Sequence, residues 1–406
     1  MYKIVALALL GSLMACSGRK TETSEAQTNN TALDTSPDSS AFAKDRQFLK
    51  RHHPDLVELE NGDARALICP AYQGRVMTSS ADGKSSYGWI NYDLISSGKL
   101  LPHMNAFGGE DRFWLGPEGG QFALYFKPGD PFDATHWQTP AAIDSEPFTR
   151  VESSASSVRF TRDVALTNYT GTQFDLGIER TVRLLTKAEI NAQLGQETSS
   201  LKVVGIESDN KITNKGKQAW TTQTGMPSIW ILGMMNASPK ATIIVPFRPG
   251  AGQPINDSYF GKVPANRLRV GKTAALFTAD ANYRSKIGVS PARATKWIGS
   301  YDPANQTLTL VTYDFDPVIK QYVNSAWELQ KEPFSGDVVN AYNDGPMKPG
   351  QPQMGQFYEL ESSSPAAQLS PGGTQQHRHI TFHIQGPEQQ LNKLANQLLQ
   401  INLADM

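Results

Sequence analysis

Two rhythms of apolar residues run along this chain. Segments 64–69, 121–126, 158–166, 174–185, 201–213, 229–232, 242–247, 307–313, 357–361 and 379–384 either alternate apolar with polar positions or run apolar. Turn clusters such as Asn61-Gly62-Asp63, Asn214-Lys215-Gly216 and Asp302-Pro303-Ala304-Asn305 bound many of them. A period of two between such turns predicts β-strands. Many strands with little helix between them predict antiparallel sheets rather than βαβ units. The helical period appears at the two ends of this body. In 41–52, Phe42, Phe48 and Leu49 share a face and Pro54 stops the run. In 387–403, Leu391, Leu394, Ala395, Leu398 and Leu399 form one apolar stripe behind Pro387, so this helix is expected on the outside of a sheet.

The first residues follow a different logic. Lys3 precedes the apolar run Ile4-Val5-Ala6-Leu7-Ala8-Leu9-Leu10, and Leu13-Met14-Ala15-Cys16 follows it. This is the layout of a secretory signal, too short to span a bilayer. Its ending resembles a bacterial lipobox, which implies cleavage before Cys16 and lipid on that residue; the alternative is an ordinary signal with an incidental Cys. Segment 17–40 is rich in Ser, Thr, Asn and charge, with Leu33 its only large apolar residue, and cannot offset its ordering entropy. The expected organisation is a signal peptide at 1–15, a lipidated Cys16 with a disordered tether at 16–40, and a single domain at 41–406. The expected location is the bacterial cell envelope, lipid-anchored at the periplasm-facing outer membrane.

Composition narrows the function. Lys and Arg number 38 against 39 Asp and Glu, a net charge of −1, so no basic excess exists to neutralise nucleic-acid phosphates. With Cys16 assigned to lipid, Cys69 has no disulfide partner. There is no P-loop, no GxGxxG after a strand, no HExxH and no GxSxG. His377, His379 and His383 share a strand face, which could hold a metal but is expected to be a solvated or partly buried face. No cofactor is expected.

The densest polar segment is 105–120. Asn105, Glu110, Arg112, Trp114 and Glu118 stand there among glycines, a mixture suited to sugars: rings stack on apolar sugar faces while charged groups bind hydroxyls. Trp137 is a second candidate platform. The competing reading is a turn-rich loop with a satisfied ion pair. Near the C-terminus, 340–346 reads as a turn. Glu359 and Glu361, two apart on a strand, share a face. Such a pair is exposed, hydrogen-bonded or tuned for acid–base work.

The segments Pro70-Ala71-Tyr72-Gln73-Gly74-Arg75-Val76, FGGEDRFWLGPEGG, Glu179-Arg180-Thr181-Val182-Arg183-Leu184 with Ile212-Thr213-Asn214-Lys215-Gly216, and Tyr358 to Pro371-Gly372-Gly373 occur in order. Together they resemble the aldose 1-epimerase (galactose mutarotase-like) superfamily. YQGRVMTSS, GWIN, YRSKIG, NAYNDGP and YELESSSPA further resemble a family of uncharacterised bacterial lipoproteins within it. The resemblance implies an all-β fold, a large twisted antiparallel β-sandwich with a short N-terminal and a C-terminal helix. It implies a Glu base, Glu361 or Glu359, a His acid, His136 or His103, and a sugar contact from Arg75. It implies a carbohydrate ligand and interconversion of sugar anomers or action on glycosides. A non-catalytic sugar-binding lipoprotein and a structural envelope protein are the competing classes. An imidazole within reach of Glu359 or Glu361 favours catalysis; its absence favours binding.

Overall fold

The computed structural model describes residues 39–406 apart from Pro349, and 39–406 form one compact unit. The signal, Cys16 and nearly all of the tether lie outside the described residues. Three antiparallel sheets make up the body. A three-stranded sheet (Val57–Asn61, Ala64–Cys69, Arg75–Ser80) opens the chain, and the helix Ala41–His52 packs on it through Phe42 and Leu49. Ser40 caps that helix by accepting from the Ala43 amide.

A ten-stranded sheet forms the back of the molecule, and a five-stranded sheet the front. The front sheet runs Ser285–Val289, Val339–Asn343, Phe357–Ser363, Ser228–Asn236 and Arg112–Gly116. Its inner face packs on the back sheet. Phe113, Leu115, Ile229 and Ile231 meet Phe160, Ile178, Val204 and Ile212, while Ile287, Ala341 and Leu360 meet Ile243, Phe277 and Val311. The antiparallel sheets expected from the pattern, and the all-β sandwich implied by the resemblance, are the fold observed.

Outer cover explains which strands alternate. Ser157–Thr167 and Gln173–Leu184 alternate because their outer face meets water. Thr307–Tyr313 runs buried because the C-terminal helix covers its outer face through Leu391, Leu394, Ala395 and Leu399. That helix spans Glu388–Leu399, shorter than the 387–403 expected, because Gln400 turns left-handed at φ 57°. Segment 121–126 is buried but is not a strand; Ala123 and Leu124 bond to Gly120 and Pro117 in local turns. Segment 340–343 is a strand, and the turn begins only at Asp344.

The histidine face is corrected too. His377, His379 and His383 do point one way, but into the interior, at most 1% exposed. His377 and His379 both hydrogen-bond the Ser362 hydroxyl at 2.8 Å, and His383 bonds Glu110 and Thr309. Burial pushes these two rings down, to about 3 for His377 and about 4 for His379, so both are neutral at pH 7.

Candidate functional site

Register puts a set of distant residues on the outer face of the front sheet. Glu359 and Glu361 stand opposite Met234 and Leu232 on one side and Tyr342 and Asn340 on the other. Arg112 and Trp114 stand opposite Leu232 and Trp230, and Lys286 opposite Tyr342. Side chains alternate strictly along a strand, so all of these project away from the core side. Arg112, Trp114, Trp230, Lys286, Tyr342 and Glu359 among them floor a cleft of about 430 Å³. Its walls come from loops that bring in His103, Trp137, Phe260, Trp327 and Met354.

Two buried ion pairs cross this floor. Arg112 Nη2 donates to Glu359 Oε1 at 2.9 Å, and Lys286 Nζ donates to Glu361 Oε2 at 2.8 Å. The Trp230 indole N–H donates to the same Glu361 oxygen at 2.9 Å, while Lys286 also lies over the Trp230 ring. Pairing offsets the cost of burying these charges. Burial pushes the Glu359 carboxyl up to about 7; Arg112 opposes that rise and Glu361 adds to it. Burial likewise raises the Glu118 carboxyl in the cleft wall, opposed by Lys286.

The rings form a near-continuous wall. Trp137 stacks on Tyr125 and Trp327, and Trp114 meets Trp230 edge to face at 5.5 Å. Arg112 lies 4.1 Å over Trp114. Arg112 Nε, the indole N–H groups of Trp114 and Trp137, and Glu361 Oε1 have no hydrogen-bond partner among the described residues. Buried polar atoms are nearly always paired; unpaired ones also occur away from the cleft, at Glu110 Oε1, Asp111 Oδ2 and His377 Nδ1 among others.

The structure sorts the candidate residues. Arg112, Trp114, Glu118, Trp137, His103 and Glu359 line the cleft, and Glu361 lies beneath its floor. Trp114 is only 3% exposed, so it is core and wall at once. Arg75 does not reach the cleft. It is fully buried, donates to the Gly108 carbonyl and Gln73, and lies over Tyr72 and Phe107. Asn105 is buried against Asp144, and Glu110 against His383, because the chain turns inward at Gly108 and Gly109, both with positive φ. His136 pairs with Asp133 at the surface and is outside the cleft lining. His103 hydrogen-bonds the Trp137 carbonyl at 2.6 Å. No histidine hydrogen-bonds Glu359 or Glu361 among the described residues.

Sequence reasoning missed Trp230, Lys286, Arg284, Trp327, Tyr342 and Phe357, which also line the cleft. Arg284 and Lys286 sit within the YRSKIG segment already singled out, and their spacing of two marked a shared face. Nothing local marked Trp327, which arrives on a long loop.

The fold is an all-β sandwich with a ring-walled, ion-paired cleft on the outer face of one sheet. The chain belongs to the family of unknown function DUF6786, whose pattern matches residues 40–406. No curated protein matches it. Among solved structures it is similar to the Slr1438 protein of Synechocystis sp. PCC 6803, at 11% identity and TM-score 0.49, covering 82% of this chain and 96% of that one. It is similar to a galactose mutarotase-like protein from Lactobacillus casei at 12% and 0.46, covering 81% and 99%. It is similar to a putative aldose 1-epimerase from Escherichia coli K12 at 12% and 0.47, covering 82% and 99%. Likeness at this level fixes neither substrate nor reaction.

Proposed function

We propose that this protein binds a carbohydrate in the front-sheet cleft and acts as a sugar-binding lipoprotein of the bacterial envelope, held by lipid on Cys16. The observation that carries the binding reading is the set of Trp114, Trp137, Trp230 and Trp327 around a floor of two ion pairs. Rings stack on the apolar faces of a sugar, and fixed charges accept and donate to its hydroxyls. The unpaired donors and acceptor at the cleft suit a polyhydroxyl ligand better than an apolar one. The anchor reading rests on the Leu-x-Ala-Cys run alone. Calorimetry with a panel of mono- and disaccharides tests the binding reading; no heat and no melting shift with any of them refutes it.

Acid–base catalysis is the second reading, favoured by one observation: Glu359 sits near 7, where a carboxyl can both give and take a proton. Against the anomer-exchange version stands the missing imidazole, since the carboxylates meet Arg112, Lys286 and Trp230 instead. Anomer exchange followed by NMR, lost in Glu359→Gln, would establish it.

A further inference from the structure

The cations of the cleft are not equivalent. Arg112 and Lys286 each hold a carboxylate. Arg284 lines the same cleft and has neither a hydrogen bond nor an ion pair among the described residues, and its Nε is buried without a partner. Its guanidinium lies 3.6 Å over the Phe260 ring, which fixes the plane of the fork without using its donors. The nearby acids Asp344 and Glu118 feel its charge without hydrogen-bonding it. Asp344 accepts from the Tyr342 hydroxyl at 2.7 Å and the Gly355 amide at 2.8 Å. Burial of Glu118 favours its uncharged form.

An oriented guanidinium with free donors beside a sugar-sized, ring-walled space is a receptor for a planar anion. We propose that the ligand is an acidic saccharide, such as a uronic acid, whose carboxylate is received by Arg284 while its ring stacks in the cleft. This deepens the carbohydrate reading and rests on it. Arg284 is then the residue that sets specificity between acidic and neutral sugars.

Calorimetry of the full-length protein with D-glucuronate and D-galacturonate against D-glucose and D-galactose tests this. Acidic sugars should bind at least about tenfold more tightly. Arg284→Gln should weaken the acidic sugars at least about fivefold more than the neutral ones and so abolish the preference; Arg284→Lys should retain part of it. Should Arg284→Gln fail to fold, salt replaces it: raising salt from 50 to 500 mM should weaken only the acidic ligands. Equal binding of acidic and neutral sugars, or an equal loss for both in Arg284→Gln, overturns the acidic-ligand proposal and leaves carbohydrate binding standing. Binding of neither kind overturns both.

Discussion

The strand Phe357–Ser363 has two faces with opposite solutions to burying polar groups. Toward the core, Tyr358 and Ser362 carry neutral partners: Tyr358 meets Ser300, and Ser362 meets His377 and His379. Toward the cleft, Glu359 and Glu361 carry charges matched by Arg112 and Lys286. Both faces are buried, so burial alone does not mark function. The difference lies in charge, since both faces leave polar atoms unsatisfied. The core-side His377 Nδ1 has no hydrogen-bond partner among the described residues, and on the cleft side neither do Glu361 Oε1, Arg112 Nε and two indole N–H groups. Such leftovers lower stability unless a ligand uses them.

The largest break in this comparison should come from Lys286→Met, which strands the Glu361 carboxylate in a buried site. Urea unfolding should show a loss of about 3–5 kcal/mol. Adding Glu361→Leu should recover much of it, since the pair can be replaced more safely than split. Leu360→Ala, on the core side, should cost about 2–5 kcal/mol through lost contacts and a cavity. It should leave ligand affinity within a factor of about two.

pH sharpens the comparison, because the two faces respond with opposite sign. His377 and His379 are depressed on folding, so their contribution is present above pH 6.5 and lost as pH falls toward about 3–4. Glu359 is raised, so its contribution is present below pH 4.5 and lost as pH rises toward about 7. Between 4.5 and 6.5 it therefore partly masks the histidines. In Glu359→Gln, stability measured against pH should fall toward acid more steeply than in the native protein, by up to about 1.4 kcal/mol per pH unit. An unchanged slope would mean that Glu359 is charged throughout this window.

The smallest effect on stability should come from Trp137→Ala, a half-buried wall residue whose rings stack on Tyr125 and Trp327. Its melting temperature should drop by a few degrees, whereas saccharide affinity should fall about tenfold, near the value of one stacking contact.

Much of the back sheet was legible from the chain because its strands are long and one face of many meets water. The segment 307–313 was placed at its true bounds, and 158–166 and 174–185 within a residue or so. The front sheet was harder. Arg112–Gly116 and Ser285–Val289 are short and buried on both faces, so no polar alternation marks them. Glu359 and Glu361 could be placed on one face from spacing alone. Their partners could not, because Arg112 lies 247 positions from Glu359 and Lys286 lies 75 from Glu361. Arg75, named from the resemblance, and Glu110, a charged residue among glycines, both turn inward, held by the Gly108 carbonyl and by His383, partners 33 and 273 positions away.

The central claim is that the cleft side of this strand receives a saccharide while the core side only holds the sandwich together. Methionine methyl NMR reads this directly, because Met104, Met234, Met347 and Met354 line the cleft while Met77 and Met226 are buried in other clusters. On titration with D-glucuronate, the four cleft methyls should shift in a saturable way while Met77 and Met226 stay fixed. Methyls that do not move with any saccharide, or shifts confined to Met235 at the separate cavity beside His383, would contradict the account.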